Sequence, residues 1–190
     1  MKKLLVIIAA TSLALACSSQ KEPAQAAVSG LDSAVEAAKP DIQQFAADRL
    51  PAVNDAVDAV KAKLNSEDYA GVIADVQTAT NTLRSAAEAA AARKSELATE
   101  WATFAGMPAR VGQIKGKLAE LDGMRRLPRG MTKAKLDGAR SSLESATKLW
   151  DEASEAHDDG HLGVAVTKAT QAKPIVDSLM STLGLPTATM

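Results

Sequence analysis

Cysteine, histidine and aromatic residues are scarce in this 190-residue chain, and each shortage excludes a class of structure. A single cysteine cannot form an internal disulfide, and two histidines leave few ligands for a histidine-based metal centre. With 3% aromatic residues, the core is not built on large rings. The abundant residue is alanine, with 39 copies, and alanine is the best helix former. The composition therefore predicts an all-α fold whose small side chains let helices approach closely.

Motifs that carry catalysis are also missing from the sequence. It contains no HExxH pair, no glycine-rich phosphate loop between a strand and a helix, and no serine–histidine pair in a recognisable context. Trp101 and Trp150 could flank a ligand pocket, but both fall on apolar stripes, which favours core packing. We therefore predict that the protein is not an enzyme and uses no cofactor.

The first sixteen residues have the layout of a secretory signal. Lys2 and Lys3 precede an uncharged apolar run over residues 4–16, which is shorter than the roughly 20 residues of a membrane span. The run ends in Leu-Ala-Leu-Ala-Cys at residues 13–17, which resembles the lipobox of bacterial lipoproteins. That resemblance implies removal of the signal, acylation of Cys17, and, with Ser18 next, sorting to the outer membrane facing the periplasm. The other interpretation is an ordinary cleaved signal that discards Cys17 or leaves it as a free thiol.

The rest of the chain divides by composition into three parts. Residues 17–29 are polar and alanine-rich with Pro23, which predicts a flexible tether after the lipidated cysteine. Residues 30–185 show helical periodicity throughout and predict a single bundle of five or six helices in antiparallel hairpins. Residues 186–190 are expected to be frayed. Without the signal, 20 basic residues face 23 acidic ones, a net charge of −3, so nucleic acid is not an expected partner.

The longest predicted helix spans residues 67–105, with Ser66 as its cap and Gly106 and Pro108 ending it. Its apolar residues alternate three and four apart, as in a coiled coil. We expect the seam to comprise Ile73, Val76, Thr80, Leu83, Ala87, Ala90, Lys94, Leu97, Trp101 and Phe104.

Elsewhere in the bundle, proline, glycine and threonine mark the helix ends. Pro40 is expected to kink or split the first helix, Pro51 to start the second and Pro174 to bend the last. The glycine- and proline-rich residues 123–130 predict a loop after the fourth helix, and Thr132 is expected to cap the fifth.

Two predicted hairpins look alike at an offset of 93 residues, which aligns Leu50 with Leu143 and Tyr69 with Leu162. The second hairpin carries small residues at Ala153, Gly160, Ala165, Ala169 and Ala172. In this respect it weakly resembles half of a tetratricopeptide repeat, which implies a peptide-binding solenoid. The period of about 34 residues that marks such repeats is missing.

The two histidines, His157 and His161, lie four residues apart in His-Asp-Asp-Gly-His. On a continuous helix this spacing would direct both rings at one metal ion. Gly160 instead indicates a helix end, and Asp-Asp-Gly is ordinary turn chemistry. We predict no metal site, and a site formed by these two residues is the alternative.

A basic cluster is the other candidate site. Residues 110–135 hold eight basic residues and two acidic ones, a local charge of +6. The cluster comprises Arg110, Lys115, Lys117, Arg125, Arg126, Arg129, Lys133 and Lys135. It is either a patch for an anionic surface or a solvated loop.

Taken together, these features predict a lipid-anchored envelope protein that acts as a non-enzymatic interaction or structural module. Its expected partners are the membrane, through the N-terminal lipid, and an envelope protein. The alternative is a periplasmic lipoprotein that binds a small molecule or a metal in a cleft between its hairpins, and a lined cavity near Trp101 or Trp150 would favour it.

Overall fold

The computed structural model describes the backbone of residues 7–186 and the side chains of residues 20–186. Of the residues whose backbone is described, 86% are helical and none lies in a strand, so the predicted all-α class is confirmed. The α-helices are α1 (Ile7–Phe45), α2 (Leu50–Asn65), α3 (Tyr69–Ala102), α4 (Met107–Asp122), α5 (Lys133–Asp158) and α6 (Leu162–Thr182). A short 3-10 helix, Ala47–Arg49, precedes α2. Of the tail expected to be frayed, residues 187–190 lie outside the described residues.

The helices form two compact units rather than the single bundle that periodicity suggested. Unit 1 is Met1–Arg93 and unit 2 is Lys94–Met190. The apolar pattern of the sequence does not mark the boundary between the units, because α3 continues through it and the apolar period resumes in unit 2. All side chains of residues 91–96 are exposed, as is typical of a helical segment that bridges two domains.

The core of unit 1 is made of small and branched side chains from α1, α2 and α3. Fully buried members include Ile42 on α1, Val53 and Val60 on α2, and Val72 on α3. Ion pairs tie the helices together at the rim: Lys61 to Asp32 of α1, and Lys63 to Asp75 of α3, each at 2.8 Å.

The predicted tether of residues 17–29 is not what the structure shows for residues 20–29. They continue α1, and Ala24 and Val28 are buried in the core of unit 1. Polar composition misled the prediction, because Ala24, Val28 and Leu31 repeat four and three apart and one apolar stripe suffices to dock an alanine-rich helix. Pro23 and Pro40 both lie inside α1 without splitting it.

Unit 2 packs α4 against the α5–α6 hairpin, with the end of α3 beside them. The apolar residues predicted for the fourth helix, Val111, Ile114, Leu118 and Leu121, are all buried. Between α5 and α6 the buried residues are mostly alanine: Ala139, Ala146 and Ala153 on α5, and Ala165, Ala169 and Ala172 on α6. Side chains of one carbon let the two backbones come close over the full length of the hairpin.

The expected seam of α3 consists of two columns, each with one residue every seven positions. One column is correct and the other is wrong. Leu83, Ala90, Leu97 and Phe104 are buried as expected. The second column in unit 1 is Val72, Ala79 and Ala86, one residue before the predicted set, and Ile73 is 45% exposed. In both versions the spacing is heptad-like, so the pattern could not decide which neighbouring column faces α1 and α2.

Helix caps were partly predictable. Thr132 caps α5, where its hydroxyl oxygen accepts a hydrogen bond from the Lys135 N–H at 3.2 Å. The expected Ser66 cap of α3 is wrong: Asp68 accepts from the Gly71 N–H at 3.0 Å, while Ser66 donates to the Lys63 carbonyl at the end of α2. Pro51 lies in the first turn of α2, as predicted.

The α2–α3 and α5–α6 hairpins turn in the same way. α2 ends at Asn65 and α3 begins at Tyr69, while α5 ends at Asp158 and α6 begins at Leu162, each 93 residues later. Both turns are closed by a six-to-one hydrogen bond, from Asp68 to the Lys63 carbonyl and from His161 to the Ala156 carbonyl. The left-handed residue is Glu67 in the first turn (φ 61°) and Gly160 in the second (φ 80°).

Glu67→Gly should therefore stabilise the protein by about 0.5–1 kcal/mol, since a residue with a Cβ is disfavoured in the left-handed region and glycine is not. Urea unfolding measures the change. Glu67→Ala is the matched control: it removes the same carboxylate but keeps the Cβ, so it should give no comparable gain. Equal stabilisation by both variants would show that charge, not backbone conformation, limits this turn.

Candidate functional site

The α4–α5 loop, residues 123–132, and the following Lys133 carry a cluster of exposed cations in unit 2. Arg125, Arg126, Arg129 and Lys133 are exposed, and Met124 beside them is 38% exposed. None of these four cations forms an ion pair with another described residue. The loop is therefore a cationic surface that includes one exposed large hydrophobic side chain, Met124.

Local hydrogen bonds give the α4–α5 loop a defined conformation. The Met131 N–H donates to the Pro128 carbonyl at 3.1 Å, which closes a turn. Gly130 adopts a φ of 86°, a conformation that favours glycine, and its carbonyl accepts a hydrogen bond from Lys135 Nζ at 2.9 Å. Lys135, one of the eight predicted cations, thus serves to hold the loop.

Three other cations of the predicted patch lie away from the loop or are paired. Arg110 is on α4, forms an ion pair with Asp177 of α6, and its side chain is only 13% exposed. Lys117 pairs with Glu120 at 2.8 Å. Lys115 lines a groove beside α5. A count of the charges in residues 110–135 could not exclude Arg110 from the predicted patch, because its partner lies 67 residues further along the chain.

Arg140 is a residue of this site that the sequence did not single out. Its guanidinium contacts Asp122 at the end of α4 and Asp137 on α5, the latter at 2.7 Å. These are the acidic residues that flank the α4–α5 loop in sequence. Arg140 therefore contacts both flanking carboxylates and offsets one of their two negative charges. The i,i+3 spacing to Asp137 was visible in the sequence, but the contact with Asp122 required the tertiary structure.

An aromatic stack joins the end of α3 to α5. The rings of Trp101 and Trp150 are nearly parallel with centroids 5.4 Å apart, and the imidazole of His157 stacks on Trp101 at 4.5 Å. Trp150 and His157 are two helical turns apart on α5, about 10 Å along its axis, so Trp101 fits between them. The two indoles contact each other and do not flank an open slot.

The two histidines do not share a helix face. α5 ends at Asp158, Gly160 has a positive φ, and His161 is the residue before α6. His157 is in the aromatic stack, and its Nδ1 lies 3.3 Å from the Asp158 carboxylate. Among the described residues no group of three potential ligands is close enough to hold a metal ion.

A shallow groove of about 560 Å³ runs along α5 beside α4. Leu143 and Thr147 form part of its lining, and the other lining residues are charged side chains of both signs. The Thr147 hydroxyl is buried and has no hydrogen-bond partner, which is unusual for a buried polar group. It is the single side-chain nitrogen or oxygen in the described part of the chain with this status.

Comparison with protein-family models, with curated proteins and with solved structures found no match to this chain. The described helices include none with the length and apolar character to cross a bilayer.

The pairing of Asp177 predicts a pH-dependent stability. Burial by itself would raise the pKa of Asp177, but hydrogen bonds from Lys173 and Arg110 outweigh burial and lower it. A lowered carboxylate pKa stabilises the fold above the unfolded value of about 3.9, and this contribution disappears as the pH falls through the lowered pKa. Because the carboxylate is 37% exposed and screened by solvent, Asp177→Asn should cost only about 1 kcal/mol at neutral pH.

Urea unfolding at neutral pH and at about pH 2–3 checks this expectation. The difference between the wild type and Asp177→Asn should shrink in acid, while Asp55→Asn, at an exposed position, should change little at either pH. A wild-type advantage that persists unchanged in acid would contradict the assignment.

The Thr147 hydroxyl gives a second stability test. Thr147→Val replaces a buried hydroxyl that lacks a partner with a methyl group of similar size, so it should stabilise the protein by about 1 kcal/mol. Thr167→Val is the control, because the Thr167 hydroxyl is exposed and donates to the Gly163 carbonyl at 2.7 Å. Thermal unfolding of both variants measures the effect. Destabilisation by Thr147→Val would show that the hydroxyl is hydrogen-bonded in solution.

Proposed function

We propose that this chain is a bacterial lipoprotein of the cell envelope, anchored by acyl chains on Cys17 and acting as a non-enzymatic interaction module at the periplasmic face of the outer membrane. The observation that carries the proposal is the order of features at the N-terminus. A basic start, an apolar run, small residues and the single cysteine are followed at once by a folded helical unit. Cys17 itself lies outside the residues whose side chains the structure describes.

The distance from the anchor to the fold supports a membrane-proximal placement. Ala24, the first buried side chain described in unit 1, lies seven positions after Cys17. At 1.5 Å per residue, this segment of α1 covers about 10 Å. Unit 1 is therefore proposed to lie next to the lipid headgroups, without the stalk that the composition had suggested.

The energetics of lipidation suit a permanent attachment. Each buried methylene contributes about 0.8 kcal/mol, so one chain gives reversible binding and two or more give stable anchoring. The diacylglycerol and amide-linked chains that the lipobox resemblance implies would meet that requirement.

The distribution of polar groups supports recognition through the outer faces of the helices. The fully buried residues described in both units are apolar, and most charged side chains are exposed, including those of the α4–α5 loop. A protein built in this way offers helix faces and a cationic loop to its partners.

The groove along α5 favours a second candidate function, a periplasmic lipoprotein that binds a small molecule. The Thr147 hydroxyl without a partner, between apolar Leu143 and a charged rim, is the feature that supports it. The groove is open and lies on one side of a filled core, so the interaction module remains the better-supported proposal.

The anchor is tested by growing cells that express the full chain with a clickable palmitate analogue. The wild type should incorporate label, and mass spectrometry of the mature protein should find an acylated N-terminus at Cys17. Cys17→Ser should abolish the label, while Ser18→Ala, one residue away, should leave lipidation intact. An unlabelled mature wild-type protein, or an N-terminus at another residue, would overturn the proposal.

A further inference from the structure

We propose that the α4–α5 loop of unit 2 is a second membrane contact, which docks on anionic lipid headgroups. The surface consists of Arg125, Arg126, Arg129 and Lys133 around the exposed Met124. This inference rests on the proposed function in one respect, that the anchor brings the chain to a bilayer.

No acidic side chain within the loop neutralises its positive charge. Residues 123–136 contain no acidic side chain. The flanking acids, Asp122 and Asp137, are both engaged by Arg140. A chain whose net charge without its signal is −3 thus presents one concentrated cationic surface, which an anionic layer would attract and a neutral one would not.

The α4–α5 loop also has a defined conformation before it binds a membrane. Leu127 and Met131 are half-buried, the Met131 N–H closes a turn onto Pro128, and Lys135 holds the Gly130 carbonyl. A preformed loop loses less conformational freedom on docking than a disordered one. The four cations are therefore displayed together.

Met124 favours a lipid surface over a soluble polyanion. An exposed apolar side chain among arginines matches the interface of a bilayer, where it can enter the region below the headgroups while the arginines contact phosphates. A nucleic acid or another soluble polyanion would use the arginines and leave Met124 without a role.

Vesicle co-sedimentation tests the proposal with the chain that begins at Ser18. This chain lacks the signal and the lipid but retains each described core residue, the first of which is Ala24. It should bind vesicles of phosphatidylcholine with about one third phosphatidylglycerol, should not bind pure phosphatidylcholine, and should bind more weakly as salt rises from about 0.05 M to about 0.5 M.

Each basic group near an anionic leaflet contributes about a fivefold factor. The triple variant Arg125→Gln, Arg126→Gln, Arg129→Gln should therefore reduce the partition coefficient about a hundredfold. The matched control, Lys117→Gln, Lys168→Gln, Lys173→Gln, removes the same charge at ion-paired positions and should stay within about threefold of the wild type. Circular dichroism confirms that both variants are folded.

A conservative triple variant distinguishes lipid from protein recognition. Replacement of the three arginines by lysine should preserve vesicle binding within about threefold, because a charged surface requires charge alone, whereas a bidentate site for protein carboxylates would be lost.

Met124→Ser should weaken binding most at high salt, where the apolar contact dominates.

Equal vesicle binding by the arginine-to-glutamine triple and the wild type would overturn the proposal, as would binding to soluble polyphosphate without binding to vesicles. Because the anchor is absent from this experiment, failure of the loop leaves the assignment of Cys17 untouched. Palmitate labelling, in turn, does not depend on the loop.

Discussion

The structure depends on the close approach of helices across alanine. Along the α5–α6 hairpin, alanines on both helices are fully buried or nearly so, and the same small-residue packing recurs where α3 meets the core of unit 1 through Ala79, Ala86 and Ala90. An alanine contact buries little apolar area. The long helices compensate with many such contacts, and an ion pair between Lys168 and Glu152, at 2.6 Å, joins α6 to α5 at the surface.

This packing begins unexpectedly close to the N-terminus, and that changes the functional interpretation. Because Ala24 and Val28 are buried, α1 is part of unit 1 where composition suggested a flexible spacer. A spacer would let the protein search a volume above the membrane. With the anchor proposed at Cys17, a docked helix would instead keep unit 1 beside the lipid, which brings the membrane surface itself within reach of the protein.

The electrostatic pattern of unit 2 follows from the same close packing. Arg110 belongs to the basic region in sequence and Arg140 lies just beyond it, but the fold pairs them with Asp177 and Asp122, which come from other helices. What remains exposed is a smaller group of cations on the loop between α4 and α5. The candidate site is thus defined by which charges the helices compensate.

The sequence by itself determined the helical class, the N-cap of α5 at Thr132, the loop after α4 and the buried stripe of that helix, because these follow from local propensity and from periodicity within one element. It could not determine the boundary inside α3, the buried column at Val72, the docking of residues 20–29 or the ion pairs of the basic region. Each of these depends on which face of a helix meets another helix. Only the tertiary structure decides that choice, since neighbouring heptad columns have nearly equal apolar content and the paired charges are far apart along the chain.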